Sequence, residues 1–394
     1  MTPAERRASG SLAAIFALRM LGLFLVLPVF ALEAARYPGG DNPVWVGWAM
    51  GIYGLTQACL QIPLGLASDR WGRKRVIQAG LAVFAVGSLL AAWAPSIEWL
   101  LAGRALQGAG AISAAITALL ADLTRDTVRT KGMAMIGVSI ALMFATSLIV
   151  APLLADQIGL AGLFVLTACL ALTGMAVVAW VVPAEPPLAR ERRQAGLAAV
   201  WRHTGLLRLD LGVFVLHAVQ LAMWMAVPAL LVKAGLAQSD HWKVYLMALL
   251  GSFVVMGGLL FRLERMGYLR AVFLLSIGLM VCVQAIFWWS AGDHTPTLFT
   301  LAMALFLFFL GFNTLEASQP SLVSRLAPAH ARGAALGVYN TLQSLGFFVG
   351  GAAGGWMTSR VGADGLFMAC GVLCIIWLAV AWPMRAQMLH NVRP

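Results

Sequence analysis

The sequence predicts an all-α integral membrane protein, with twelve transmembrane helices arranged as two pseudo-symmetric six-helix bundles, and three observations predict it. Hydrophobic residues are 61% of the 394 and charged residues only 11%, too little polar surface to clothe a water-soluble fold of this size. The chain also divides into about twelve apolar stretches near the roughly 20 residues that a helix needs to cross a hydrocarbon core. In lipid such a stretch must be helical, because a helix pairs its backbone polar groups internally. Third, a charged loop of the first half recurs in the second.

The stretches fall at 10–34, 44–67, 76–94, 97–121, 132–156, 160–182, 206–232, 242–262, 270–291, 296–324, 332–358 and 362–384. The first follows Arg6 and Arg7 and has the flanks of a signal peptide, but it is long and lacks a small-residue cleavage site, so it is a retained first helix. Arg19 lies about mid-span, and Glu33 lies near the outer end, where water is one reading of its surroundings. Tyr53, Gln57 and Gln61 in the second span repeat at i, i+4 and so form one stripe. That stripe suits either a solvated cavity or interhelical hydrogen bonds. Arg104 sits within the fourth span, Asp122 at its end, and Pro152 in the fifth.

Pro183, Pro186, Pro187 and the cluster Arg190, Glu191, Arg192, Arg193 break the apolar pattern and mark a linker. The domains are therefore 1–183, a linker at 184–205, and 206–394. The linker's basic residues suit an anionic inner leaflet, or are simply solvated. The seventh span carries His217 and, between Met223 and Met225, Trp224, which fits an adaptable apolar pocket or ordinary packing. The tenth carries Asn313, on a presumed inward face, and Glu316; the eleventh has Gly350, Gly351, Gly354 and Gly355, a pattern for close helix approach. Trp45, Trp48, Trp93, Trp99, Trp288 and Trp289 cluster at outer ends like an aromatic belt.

The net charge of +11 invites a nucleic-acid reading, which charge placement excludes. Alternate loops hold about 21 of the 27 Lys and Arg residues, and the opposite loops hold Arg36, Lys233, Lys243 and Arg360; by the positive-inside rule both termini are cytoplasmic. Cys59, Cys169, Cys282, Cys370 and Cys374 all fall inside spans, against a disulfide framework. Cys370 and Cys374 are one turn apart without a nearby His or carboxylate, so packing is the favoured reading over a metal. No glycine-rich phosphate loop precedes a Lys and Ser or Thr, and no metal-spaced cluster or nucleophile and base pair appears. The chain is not expected to be an enzyme or to hold a cofactor; its energy must come from a gradient.

The loop after the second span reads Asp69, Arg70, Trp71, Gly72, Arg73, Lys74, Arg75, and the loop after the eighth reads Glu264, Arg265, Met266, Gly267, Tyr268, Leu269, Arg270. Acid, base, glycine and final base coincide. Two halves in one orientation imply a pseudo-twofold axis along the membrane normal, a path between them, and access by rocking.

Extended back to Gly65, the first loop, from Gly65 to Lys74, resembles the signature loop of the major facilitator superfamily. Arg104 to Gly110 resembles a motif of that superfamily's drug and proton antiporter branch, and the runs Ala17–Val29, Gly51–Pro63, Gly103–Thr124 and His241–Leu246 resemble the YajR group of inner-membrane transporters. That group carries a small soluble domain after the twelfth helix; here the chain ends ten residues past Met384, and regulation through such a domain is not expected. The branch's fifth-helix motif survives only as Pro152, for which a kink without a coupling role is an equal reading.

The resemblance implies the superfamily fold, an inner-membrane location, a monomer, an unidentified small-molecule substrate and protons as the coupling ion. The eleventh helix opens near Arg332 and Gly333 with its positive dipole end on the side of Asp69, which makes Asp69 a latch between the halves; solvated surface charge is the plain alternative. The family implies a companion pair, Arg73 with Asp122, and places Gly65, Arg70 and Gly72 in the same gating loop.

Ionisable groups within a span are expected to be functional. Glu316 is the only carboxylate placed deep by the sequence and is the leading proton carrier, since burial disfavours the charged form of a carboxyl; a permanent ion pair with an arginine or a protonated packing group is the alternative. Glu33 is the second candidate. Arg104 is assigned to coupling or to bracing helices, Arg19 to coupling, to an anionic substrate group or to packing, and His217 to coupling as a group that buries without net charge. Tyr53, Gln57, Gln61, Trp224 and Asn313 are the expected cavity residues. Proton-driven efflux is the first expectation; nutrient uptake by symport or facilitation, and a membrane sensor or scaffold, are the alternatives.

Overall fold

A computed structural model of the chain describes residues 1–185, 200, 203–292, 296–328 and 331–384. Pro186, Pro187 and the Arg190–Arg193 cluster lie outside the described residues, as do the side chains of Glu264, Arg265 and Arg332. All described regular structure is helical. The chain forms two compact units, Met1–Arg192 and Arg193–Pro394.

In the first unit α1 (Pro3–Phe24) and α2 (Leu27–Ala34) together make one span. Thr2 caps α1: its hydroxyl accepts from Glu5 N at 3.2 Å, while Glu5 accepts from Thr2 N at 2.7 Å, so two end donors are satisfied reciprocally. Then come α3 (Pro43–Trp71), α4 (Arg73–Ala92), α5 (Ile97–Ala109), α6 (Ser113–Leu123) and α7 (Asp126–Trp180). The 55 residues of α7 would extend about 80 Å as one rod, far beyond a membrane core. Gly159, at φ 63° and ψ −175°, turns the chain there in a conformation essentially reserved for glycine. Two spans result.

The second unit contains α8 (Thr204–Lys233), α9 (His241–Val255), α10 (Leu269–Ala291), α11 (Leu298–Leu326) and α12 (Arg332–Ala381). Gly362, at φ 76° and ψ −179°, divides α12 as Gly159 divides α7. After α9 the chain winds through two π-helical turns, Met256–Leu260 and Glu264–Tyr268, around Phe261–Leu263. Eight described helical stretches are long and apolar enough to cross a bilayer. Dividing α7 and α12 at their glycines, and counting α3 and the α9 segment, gives the twelve crossings of the predicted fold.

Within the first unit α1 and α4 pack on α7, and α5 packs on α3 and α4. Leu12, Ile15, Phe16, Ile77, Leu81, Ile112, Ile116 and Leu119 form its apolar core. In the second unit α8 packs chiefly along α12. Gly346, Gly350 and Gly354 of α12 lie against Phe214, Ala218 and Ala222 of α8; small residues every fourth position let the backbones approach, which is how helices gain contact where lipid removes the hydrophobic drive. Trp93, Trp99, Trp288 and Trp289 are exposed.

Candidate functional site: two buried polar networks

Both networks arise because each span must bury polar side chains against other spans. In the first unit Arg19 of α1 is only 1% exposed. Its guanidinium donates to Tyr53 Oη at 2.7 Å, Gln57 Oε1 at 2.8 Å and Ser113 Oγ at 3.3 Å, and it lies 5.7 Å from the Phe84 ring centroid. Arg104 of α5 is equally buried. It donates to Gln107 Oε1 at 2.8 Å and, at longer range, to the carbonyls of Ala49 (3.4 Å) and Met50 (3.5 Å). Its guanidinium sits 5.1 Å from the Tyr53 ring, so Tyr53 bridges both arginines, one through its hydroxyl and one through its π face. Gln107 in turn donates to Ser88 Oγ at 2.8 Å. Neither arginine is ion-paired among the described residues. The Tyr53, Gln57, Gln61 stripe is therefore not a solvated wall: all three side chains are buried, two of them on Arg19, because a guanidinium without a carboxylate needs neutral acceptors.

Glu33 is not in water. It is 4% exposed and pairs with Arg36 at 3.1 Å.

The signature loop forms a separate cluster at one end of this unit. Gly72, at φ 100°, turns the chain between α3 and α4. Arg73 meets Asp69 in an ion pair, lies 3.2 Å from Asp122, and donates to Ser68 Oγ at 2.7 Å. Arg70 is exposed. A Cβ on Gly65 would already stand 3.3 Å from that of Ala114. The chain after the sixth span completes the cluster: Glu185 accepts from Arg73 N at 2.8 Å and Lys74 N at 3.3 Å. A carboxylate thus caps the N-terminus of α4, where free N–H groups and the helix dipole favour an anion. Lys74 Nζ donates to Val182 O at 3.1 Å. Two features recur in the second unit: Gly267 has positive φ, 94°, and a basic side chain reaches carbonyls after the last span, Arg270 donating to Trp382 O and Met384 O, both at 2.7 Å.

In the second unit His217 of α8 is buried between the rings of Phe312 and Phe347. Its Nδ1 lies 2.9 Å from Val213 O, which fixes the Nδ1–H tautomer and leaves Nε2 for exchange. Nε2 lies 3.3 Å from Glu316 Oε2 and 2.7 Å from Gln343 Nε2, and Gln343 also donates to Glu316 Oε1 at 3.4 Å. Glu316 is thus partnered by a histidine, not an arginine, and its side chain is 36% exposed, not sealed in apolar surroundings. It is also not the only inward carboxylate. Asp210, seven residues before His217 on the same helix, is 3% exposed; an acid this near a span's start reads as interfacial in sequence, and only the packing of α11 and α12 buries it.

Asn313 donates to Ser252 Oγ of α9 at 3.2 Å, so it serves helix packing here. Trp224 is buried with its ring edge-on to Tyr245 at 5.4 Å, and Met223 and Met225 are buried beside it. No group of three or more His, Cys, Asp or Glu residues among the described ones has metal-ligand geometry, and all five cysteines are free.

The family model described as Major Facilitator Superfamily matches residues 12–351 and 262–390. The chain belongs to the major facilitator superfamily. It is 42% identical to the inner membrane transport protein YajR of Escherichia coli over 389 residues, covering 98% of this chain and 85% of that protein. It is 28% identical to the multidrug resistance protein MdtH of Proteus mirabilis, over 86% of this chain and 84% of the relative. Among solved structures, the nucleoside transporter NupG matches with a TM-score of 0.74 at 14% identity, covering 96% of this chain and 99% of the other. At that identity the likeness concerns the fold alone. The chain is a multi-pass membrane transporter of this superfamily, whose members are not enzymes. Within that frame, two buried guanidinium groups occupy the first unit's network, and the second unit holds the partly open Glu316 and the buried Asp210. Glu185 and Asp210 escaped the sequence reading; the sole available signal was an acid flanking an otherwise apolar span.

Proposed function

We propose that this transporter is a proton-coupled exporter of small molecules, a monomer with both termini in the cytoplasm, working by rocker-switch alternating access. The observation that carries the proposal is the contact of His217, Glu316 and Gln343. A neutral imidazole held at Nδ1 accepts the Gln343 amide at Nε2 and leaves Glu316 free to take a proton. If the proton resides on Nε2 instead, it faces the Glu316 carboxylate, and Gln343 must turn its amide oxygen inward. Each protonation state of the acid and the imidazole favours a different hydrogen-bond arrangement among α8, α11 and α12. That is the differential stability a coupled conformational change requires.

Arg19, Arg104 and Glu33 serve this coupling in the other unit, while Tyr53, Gln57, Gln61, Trp224 and Asn313, packed away in this structure, would meet the substrate only in another conformation of the cycle. Gly65, Asp69, Arg70, Gly72, Arg73 and Asp122 form the gating loop, with Asp69 as its latch. The likeness to MdtH, named a multidrug resistance protein, supports efflux over uptake.

Metabolites retained by cells lacking the protein supply the substrate for the test. In proteoliposomes an imposed pH gradient should drive that compound outward in exchange for protons. Glu316→Gln should abolish gradient-driven transport while preserving substrate counterflow. A variant that keeps full gradient coupling refutes the proton role, and transport in the same direction as protons refutes antiport.

A further inference from the structure

The second unit carries its polar residues in pairs. On α8 Asp210 precedes His217 by seven residues, on α11 Gln319 follows Glu316 by three, and on α12 Tyr339 precedes Gln343 by four. His217, Glu316 and Gln343 meet directly. The other members lie toward the N-terminal end of α8 by about two turns and gather in a second layer. Tyr339 lies close enough to both Glu316 and Asp210 to feel the charge of each, and its hydroxyl is bonded to neither among the described residues. Gly212 of α8 opens the space beside them: a Cβ there would stand 2.8 Å from Trp377 Nε1 and 3.2 Å from Gln319 Oε1.

The three side chains of this second layer and the adjoining Trp377 are at least nine-tenths buried. Both carboxylate oxygens of Asp210, both amide atoms of Gln319, Tyr339 Oη and Trp377 Nε1 lack a hydrogen-bond partner among the described residues. A buried carboxylate without a donor is costly, and the cost disappears when it takes up a cation. Among described residues the titratable groups around it are Tyr339 from α12, Glu316 from α11 and His217 on α8 itself, and no Lys or Arg forms an ion pair with it.

We propose that Asp210 is a second proton-binding group and that it exchanges protons with Glu316 through the Tyr339 hydroxyl. The inference rests on Glu316 as the primary carrier. The exchange requires Tyr339 Oη, unpartnered among the described residues, to come within hydrogen-bond distance of both carboxyls; the carboxyl proton of Glu316 then passes to the tyrosine oxygen while the tyrosine's own proton passes to an Asp210 oxygen. Glu316 is left charged, Asp210 neutral and Tyr339 unchanged. In the orientation proposed above, the N-terminal end of α8 is cytoplasmic, so Asp210 becomes the inner station through which protons leave.

The test needs no transported substrate. Infrared difference spectra of the purified full chain in lipid films, recorded across pH, report the carbonyl stretch of each carboxyl as it protonates. Beside the bands of the other carboxyls, the wild type should show two that single substitutions remove, Asp210→Asn losing one and Glu316→Gln the other. Asp210→Glu, which keeps a carboxyl, should restore a band at shifted frequency and shows that loss in the asparagine variant is not misfolding. Tyr339→Phe should retain both bands but slow the return of the Glu316 band after a pH jump. An Asp210→Asn spectrum identical to wild type refutes the proposal. So does an Asp210 band displaced by sodium chloride but not by an impermeant organic salt, which would make the site a metal-cation site. If Asp210→Asn loses its band while Glu316→Gln changes nothing, Asp210 stands as a proton site and the reading of Glu316 fails.

Discussion

Replacing Gly108 with alanine should destabilise the first unit through the Arg104 network. Gly108 is on α5, and a Cβ there would stand 2.9 Å from the Tyr53 carbonyl carbon, closer still to its oxygen and to Thr56 Oγ1. Backbone cannot rotate away as a side chain can, so α5 must retreat from α3 by roughly an ångström to restore ordinary contact. Arg104 lies one turn earlier on α5 and reaches Ala49 O and Met50 O at 3.4 and 3.5 Å, already at the edge of hydrogen bonding. The retreat breaks both. Overpacking costs about 1–3 kcal/mol, and a hydrogen bond from a charged donor contributes up to about 1.5–3 kcal/mol, less at these lengths. Against this stands a helix-propensity gain of about 0.5–1 kcal/mol. The balance is a loss of about 2–4 kcal/mol, which at about 2–4 °C per kcal/mol for a unit of this size lowers the melting midpoint by roughly 4–16 °C. Tryptophan fluorescence melts of detergent-solubilised protein measure it. Gly137→Ala is the control: nothing lies within 4 Å of its Cβ position, so only the propensity gain applies. If Gly108→Ala melts at or above the wild-type midpoint, or if Gly137→Ala falls equally, the close-approach argument is wrong.

The Glu5 and Arg125 pair, 2.7 Å apart, makes stability pH-dependent: Arg125 and the Thr2 amide hold the Glu5 carboxyl down to about 2. Its contribution is complete above the ordinary carboxylate range and is lost as pH falls toward that value, so melts of wild type and Glu5→Gln should differ at neutral pH and converge in acid. Gly159→Ala should cost about 1–3 kcal/mol although nothing lies within 4 Å of its Cβ position, because the penalty is conformational; a melting midpoint unchanged from wild type would show that the turn relaxes. Glu185→Ala should lower the midpoint by an amount equivalent to about 1 kcal/mol, the typical effect of removing a helix cap, and Glu185→Gln by less, since an amide oxygen still accepts. Equal effects in the two would mean that charge, not capping, carries the contact.

Membrane insertion, helicity, span positions and the repeated loop were legible in the sequence because each depends on residues near one another in the chain. Apolar length selects a spanning helix whatever it packs against, and Gly72 and Gly267 stand at equivalent places in the two loops because the backbone there takes a positive φ. The buried chemistry was only half legible. Arg19, Arg104, His217 and Glu316 stood out as ionisable groups in apolar stretches, but their partners could not be read. His217 and Glu316 are separated by 99 residues, and Arg19 and Ser113 by 94; helical periodicity gives a side chain's face, not which helix covers that face. Asn313 and Gln57 show the same limit, since one stripe pattern serves cavity walls and interhelical hydrogen bonds alike.

The sequence by itself determined that this protein spans a membrane as a bundle of helices, because the cost of exposing backbone to lipid leaves a chain of this composition no other solution. Tertiary packing alone decided that Asp210 is enclosed, that Glu316 meets a histidine and remains partly open, and that Glu185 returns to cap α4. The physical reason is that a side chain's solvation and charge partners are set by whichever helices surround it, and those neighbours lie far away along the chain.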